Sequence, residues 1–115
     1  MVLLTPHFNS AEFIDKRANV RRDPPTMLLG VLENLRGQIG RPLPIVSGFR
    51  TLATNKAVNG AKASRHMTGD AADLPPGYVT VAQAEAAGAV GIGSRGPWAV
   101  HVDVRPGPPA RWSYD

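Results

Sequence analysis

Apolar positions in this chain fall into short periodic runs separated by proline and glycine, and the period changes from helical to extended near residue 45. Asn9-Ser10-Ala11-Glu12 reads as a capping box, with Asn9 as N-cap and Glu12 reaching back to it. It opens a short helix carrying Phe13 and Ile14, onto which Phe8 can staple. Asp23-Pro24-Pro25 breaks the chain, and Pro25 suits the first turn of a second helix. There Met27, Leu28, Val31, Leu32 and Leu35 recur at the spacing of one buried face, and Gly37 or Gly40 stops the run.

The second half is extended. Arg41-Pro42-Leu43-Pro44 leads rigidly into a strand, Ile45-Val46-Ser47, which the chain leaves at Gly48-Phe49-Arg50-Thr51. Residues 52–58 suit a short helix, Asn59 to Ala63 a turn, and Ser64 to Leu74 a loop running into a strand at residues 71–74. Thr80-Val81-Ala82-Gln83 is a second capping box, opening an Ala-rich helix that stops at Gly88. Residues 89–93 form a candidate strand whose glycines permit close backbone approach. Trp98 to Val104 then alternates: Trp98, Val100, Val102 and Val104 on one face, Ala99, His101 and Asp103 on the other. The Pro-rich tail, 106–115, carries Trp112 and Tyr114, placed to tuck against the body. Helices first, then strands with one inserted helix, predict an α+β fold: a small antiparallel sheet with helices packed on one side.

Composition narrows the picture. A chain of 115 residues has room for one domain, 1–115, with a modest core. Its 12 Gly and 11 Pro lie between periodic segments rather than in tracts, which argues against disorder. Cysteine is absent, so neither disulfides nor thiolate chemistry is available. No apolar run approaches the roughly 20 residues of a membrane span, and the N-terminus has no basic region of a secretory signal. The expectation is a chain that starts in the cytoplasm, or a domain trimmed from an exported protein. The net charge of +4 is concentrated in Lys16, Arg17, Arg21 and Arg22. Without interleaved aromatics this reads as a solvated face rather than a nucleic-acid surface, although it would also favour an anionic polymer.

The polar face of the last strand carries chemistry. His101 and Asp103 share a side, and Ser64-Arg65-His66-Met67-Thr68-Gly69-Asp70-Ala71-Ala72-Asp73 supplies a second histidine and an aspartate seven residues on. A catalytic zinc takes three His or carboxylate ligands and keeps its fourth position open. His66, Asp73 and His101 meet that need, though two histidines and a carboxylate also suit non-haem iron. The third histidine, His7, lies ahead of the first helix and reads as surface or local packing.

The string S-x-H-x-x-G-x-A-x-D, met as Ser64, His66, Gly69, Ala71 and Asp73, resembles the defining motif of the M15 metallopeptidases. These comprise D-Ala-D-Ala carboxypeptidases and dipeptidases, murein endopeptidases and phage endolysins. Ser47-Gly48-Phe49-Arg50-Thr51 is similar to their SGYR[ST] stretch, with Asn55 matching an asparagine beyond it. Trp98 to Asp103 is similar to the closing [WF]-x-H-x-D strand of the small murein-peptidase branch, and Phe8 to Phe13 to its opening F-x-x-x-E-F. The resemblance spans about residues 8–105.

It implies a hedgehog/D-Ala-D-Ala-peptidase-like fold and one zinc ion held by His66, Asp73 and His101. It also implies Arg50 as the group that stabilises the developing oxyanion and Ser64 as a substrate hydrogen-bonding residue. The implied substrate is a peptidoglycan stem peptide or cross-link, cut by a monomer beside a D-amino acid, with no nucleic-acid or membrane partner. A phage lysis or virion-associated enzyme would reach the wall after release. One position departs from the pattern. Many members carry an acid three residues before the last histidine, where this chain has Trp98. Asp103, about 7 Å along the strand from His101, is then the candidate general base. Its competing role is to orient a ligand histidine or to pair with Arg105 or Arg50. Asp70 is expected to face solvent. A zinc-binding module without turnover, as in the hedgehog signalling domain, is the alternative.

Overall fold

A computed structural model describes residues 2–115. The main sheet has four strands in the order β3-β5-β4-β6: β3 (Ala71–Asp73), β4 (Gly91–Arg95), β5 (Trp98–Asp103) and β6 (Ala110–Ser113). β5 runs antiparallel to β3 and β4, whereas β6 joins the edge parallel to β4. The architecture is α+β, as the element order predicts. The sheet is mixed rather than purely antiparallel, because the tail adds β6 as a parallel edge strand. A hairpin of β1 (Leu3–Thr5) and β2 (Phe8–Asn9) precedes it.

Among the described residues three α-helices complete the fold: α1 (Thr26–Ile39), α2 (Leu52–Ala57) and α3 (Val81–Ala86). Both capping boxes form. Asn9 and Glu12 close a single 3₁₀ turn, Ser10–Glu12, shorter than the predicted helix, and Thr80 and Gln83 cap α3. Pro25 sits at the N-cap of α1, and Gly40 ends that helix in the left-handed region at φ 67°. Leu28, Leu29, Val31, Leu32 and Leu35 are buried, but Met27 is 68% exposed, so the buried face is rotated away from it. The expected strand at 45–47 reduces to a single bridge between Ser47 and Asp73. Its backbone is extended by prolines that cannot donate to a ladder, and pairing stops once β3 runs out.

The two faces of the sheet divide the labour. Ala72, Ile92, Ala99 and Val102 join Leu28, Leu32 and Leu35 of α1 and Ala84 of α3 in one apolar core. Burying each leucine contributes roughly 1.5–3 kcal/mol. The other face presents Asp73, His101 and Asp103, the partners of one another or of Ala71, Gly91 and Gly93 across the ladder. Strict alternation would put Ala99 on this polar face. The register instead skips a residue, pairing Gly93 with His101 and Ser94 with Ala99, so that Val100 is the extra residue of a bulge. The bulge returns Ala99 to the core and leaves Val100 lining the cleft described below.

Candidate metal centre

Three segments deliver the polar groups. Ser64 caps a 3₁₀ turn, Arg65–Thr68, accepting from His66 N at 3.2 Å, and Gly69 ends that turn at φ 79° in a conformation that favours glycine. The turn is also tied to the 48–51 segment, because Arg50 N donates to His66 O at 2.9 Å. His66 is thereby buried with its ring aimed at β3, where Asp73 pairs with His101 across the ladder.

The donor atoms converge. His66 Nε2 lies 3.0 Å and His101 Nδ1 3.3 Å from Asp73 Oδ1. One ligand atom from each of the three residues falls within 4.8 Å of the others, so this group could hold a metal ion. The outer nitrogens of both rings are committed elsewhere. His66 Nδ1 is 2.6 Å from the Gly48 carbonyl, and His101 Nε2 is 2.8 Å from Asp103 Oδ2. With a metal bound, each ring would carry a proton on its outer nitrogen and offer the inner nitrogen beside Asp73 as a ligand. Two imidazoles and a carboxylate fit zinc.

Charge is arranged to match. Burial would raise the pKa of Asp73, but hydrogen bonding from His101 and His66 outweighs it and holds the carboxyl well below the usual range. Burial would lower that of His101, yet Asp103 and Asp73 together push it up. Arg50 stands beside them. Its Nη1 is 4.0 Å from Asp73 Oδ2, its Nη2 donates to Ser64 Oγ at 3.2 Å, and its buried Nε has no partner.

A sequence profile of the family described as Peptidase M15 matches residues 6–103. The chain belongs to the peptidase M15 family. A comparison with curated proteins gives no match.

In this M15 chain the triad opens into a cleft of about 990 Å³, lined by Arg50, Ser64, His66, Asp73 and His101 and by a wall that includes Arg95, Arg105, Trp112 and Tyr114. The Trp112 ring lies 5.0 Å from that of His101, with Arg105 stacked 5.0 Å over it. Trp112 of β6 and Tyr114 just after it lie beyond the matched residues. In the sequence they stand only as two aromatics of a Pro-rich tail. Asn55, on α2, donates to Ala61 O at 2.9 Å and secures the loop whose Asn59, Gly60 and Ala61 form the cleft's opposite rim.

Asp103 is fully buried. Oδ2 meets His101 Nε2, and the carboxylate is gripped by Arg105 through Nε at 2.9 Å, Nη2 at 2.7 Å and the backbone N–H at 3.0 Å. Burial alone would raise its pKa, but His101 and Arg105 hold it well below the ordinary carboxylate value. Trp98 is half-buried and bridges to Thr80, away from the cleft lining. Asp70 does not face solvent as expected. It is half-buried, accepting from Arg65 Nη2 at 2.6 Å and from Thr68, and it is not in the cleft. His7 pairs at the surface with Glu33 at 2.7 Å. Among the described residues no helix is long and apolar enough to cross a membrane.

Proposed function

We propose that this chain is a zinc-dependent peptidoglycan peptidase that hydrolyses amide bonds next to D-amino acids in murein stem peptides or cross-links. The observation that carries the reading is the convergence of His66, Asp73 and His101 beside Arg50, inside a cleft large enough for a peptide. Zinc held by the three side chains would supply Lewis acidity at the scissile amide. The chain's own groups do the rest. Arg50, which lines the cleft with Nη1 4.0 Å from Asp73 Oδ2, is placed to donate to a carbonyl oxygen as it gains charge. The Ser64 hydroxyl accepts from Arg50 and from His66 N, which leaves its own proton free for a substrate carbonyl.

For Asp103 the geometry favours orientation over proton transfer. A general base must reach the proton it takes, whereas both Asp103 oxygens are engaged and none of the residue is exposed. In this reading Asp103 fixes the tautomer of His101 rather than meeting the substrate. The same observation supports a second reading, a zinc-binding wall module with little or no turnover, because Asp73 is the one acid among the described residues that line the large cleft.

Mass analysis of defined muropeptides treated with the zinc-loaded chain separates the two. The peptidase reading expects a product cut beside a D-residue, absent with His66→Ala. Stoichiometric zinc with intact muropeptides would establish the module instead. The masses would also assign carboxypeptidase or endopeptidase action.

A further inference from the structure

The basic cluster near the N-terminus has a location that its sequence does not reveal. A second cavity, of about 320 Å³, adjoins the large cleft and shares Val46, Arg50 and Asp73 with it. Its other walls include Glu12, Asp15, Lys16, Arg17 and Phe49. Lys16 and Arg17 are exposed, and among the described residues neither is within ion-pair distance of a carboxylate. The neighbouring acids are already engaged. Glu12 Oε2 accepts from Asn9 N, and Asp15 accepts from Arg17 N, Ala18 N, Thr51 N and the Thr54 hydroxyl. Arg21, Arg65 and Arg105, by contrast, each hold a carboxylate of the chain.

A cavity that meets the candidate metal centre and carries two exposed cations outside any ion pair, with its Glu12 and Asp15 carboxylates held by N–H and hydroxyl donors of the chain, offers a place for an anionic part of the substrate. We propose that the Lys16–Arg17 cavity is a substrate subsite that takes a carboxylate of the bound peptide. This rests on the peptidase reading and extends it: the peptide lies over Asp73 and Arg50, with part in the aromatic cleft and a carboxylate-bearing part between Lys16 and Arg17. Because both side chains are exposed, their attraction for a carboxylate is screened by salt.

The test compares a stem pentapeptide with free carboxylates, the same peptide with every carboxylate amidated, and singly amidated forms that assign the carboxylate read. Hydrolysis is followed with the zinc-loaded chain, and binding of the same peptides by calorimetry on the zinc-free chain. In Lys16→Ala/Arg17→Ala, KM and Kd for the free-carboxylate peptide should rise about fivefold. The fully amidated peptide and kcat should stay within twofold, and 0.5 M salt should erase the difference. Equal handling of the two peptides by the parent, equal effects of the double variant on both, or no measurable binding of either overturns the subsite. Failure of the peptidase reading looks different: the zinc-loaded parent cuts no peptide, while calorimetry still decides whether Lys16 and Arg17 read a carboxylate.

Discussion

Asp103 Oδ2 lies 2.8 Å from His101 Nε2, the ring nitrogen turned away from Asp73. On the proposed reading this buried carboxylate sets the tautomer of the neighbouring ring, and Arg105 supplies the counter-charge that makes its burial tolerable. Asp103→Asn should therefore weaken zinc binding by about 10- to 100-fold. Competition against a chromophoric chelator measures this. An unchanged zinc affinity would remove the orienting role and leave the proton-transfer role open.

Gly91 faces that same carboxylate across the ladder. A Cβ at Gly91 would collide with Asp103 Oδ1, Oδ2 and Cγ, whereas one at Gly37 in α1 would meet nothing within 4 Å. Gly91→Ala should cost about 1–3 kcal/mol through overpacking and should also lower zinc affinity by moving Asp103. Gly37→Ala should stabilise by up to about 1 kcal/mol. Urea melts of the two variants should move the midpoint in opposite directions.

Asp15 anchors the segment that carries Arg50, accepting from Thr51 N at 2.8 Å and from the Thr54 hydroxyl at 3.1 Å. Burial would raise its pKa, but the N–H groups of Ala18 and Thr51 and the hydroxyl of Thr54 bring it from 3.8 down to about 2. Because the folded value lies below the unfolded one, this stabilisation is fully present above about pH 4 and is lost as pH falls toward 2. Asp15→Asn should be destabilised by about 2 kcal/mol at pH 6. Its deficit should shrink by pH 2.5, read from denaturant midpoints at the two values.

Zinc should bind the folded chain and not the unfolded one, so it should stabilise by mass action. At a hundredfold excess over Kd the gain is about 2.7 kcal/mol, a rise in Tm on the order of 10 °C for a chain of this size. Calorimetric melts with and without zinc should show the rise in the parent, and little of it in His66→Ala or His101→Ala.

The local devices were legible in the sequence because each is a short-range interaction. Both capping boxes, the leucine stripe of α1 and the glycine that ends it depend on residues a few positions apart. So does the motif that places His66, Gly69 and Asp73, since a 3₁₀ turn and one left-handed glycine join the histidine to the strand. The α+β class and the family followed from the order of such pieces.

What required the tertiary structure was pairing between distant segments. The bulge at Val100 is set by the register of β5 against β4, and it moves Ala99 from the site face to the core. The parallel addition of β6 brings Trp112 onto His101. Arg105 closes on Asp103, and the folding of segment 12–17 against segment 46–50 puts Lys16 and Arg17 on a cavity that Asp73 and Arg50 also line. Hydrophobic period records which way a side chain tends to face. Register, edge addition and charge pairing are decided by which surfaces meet, and these are global properties of the fold.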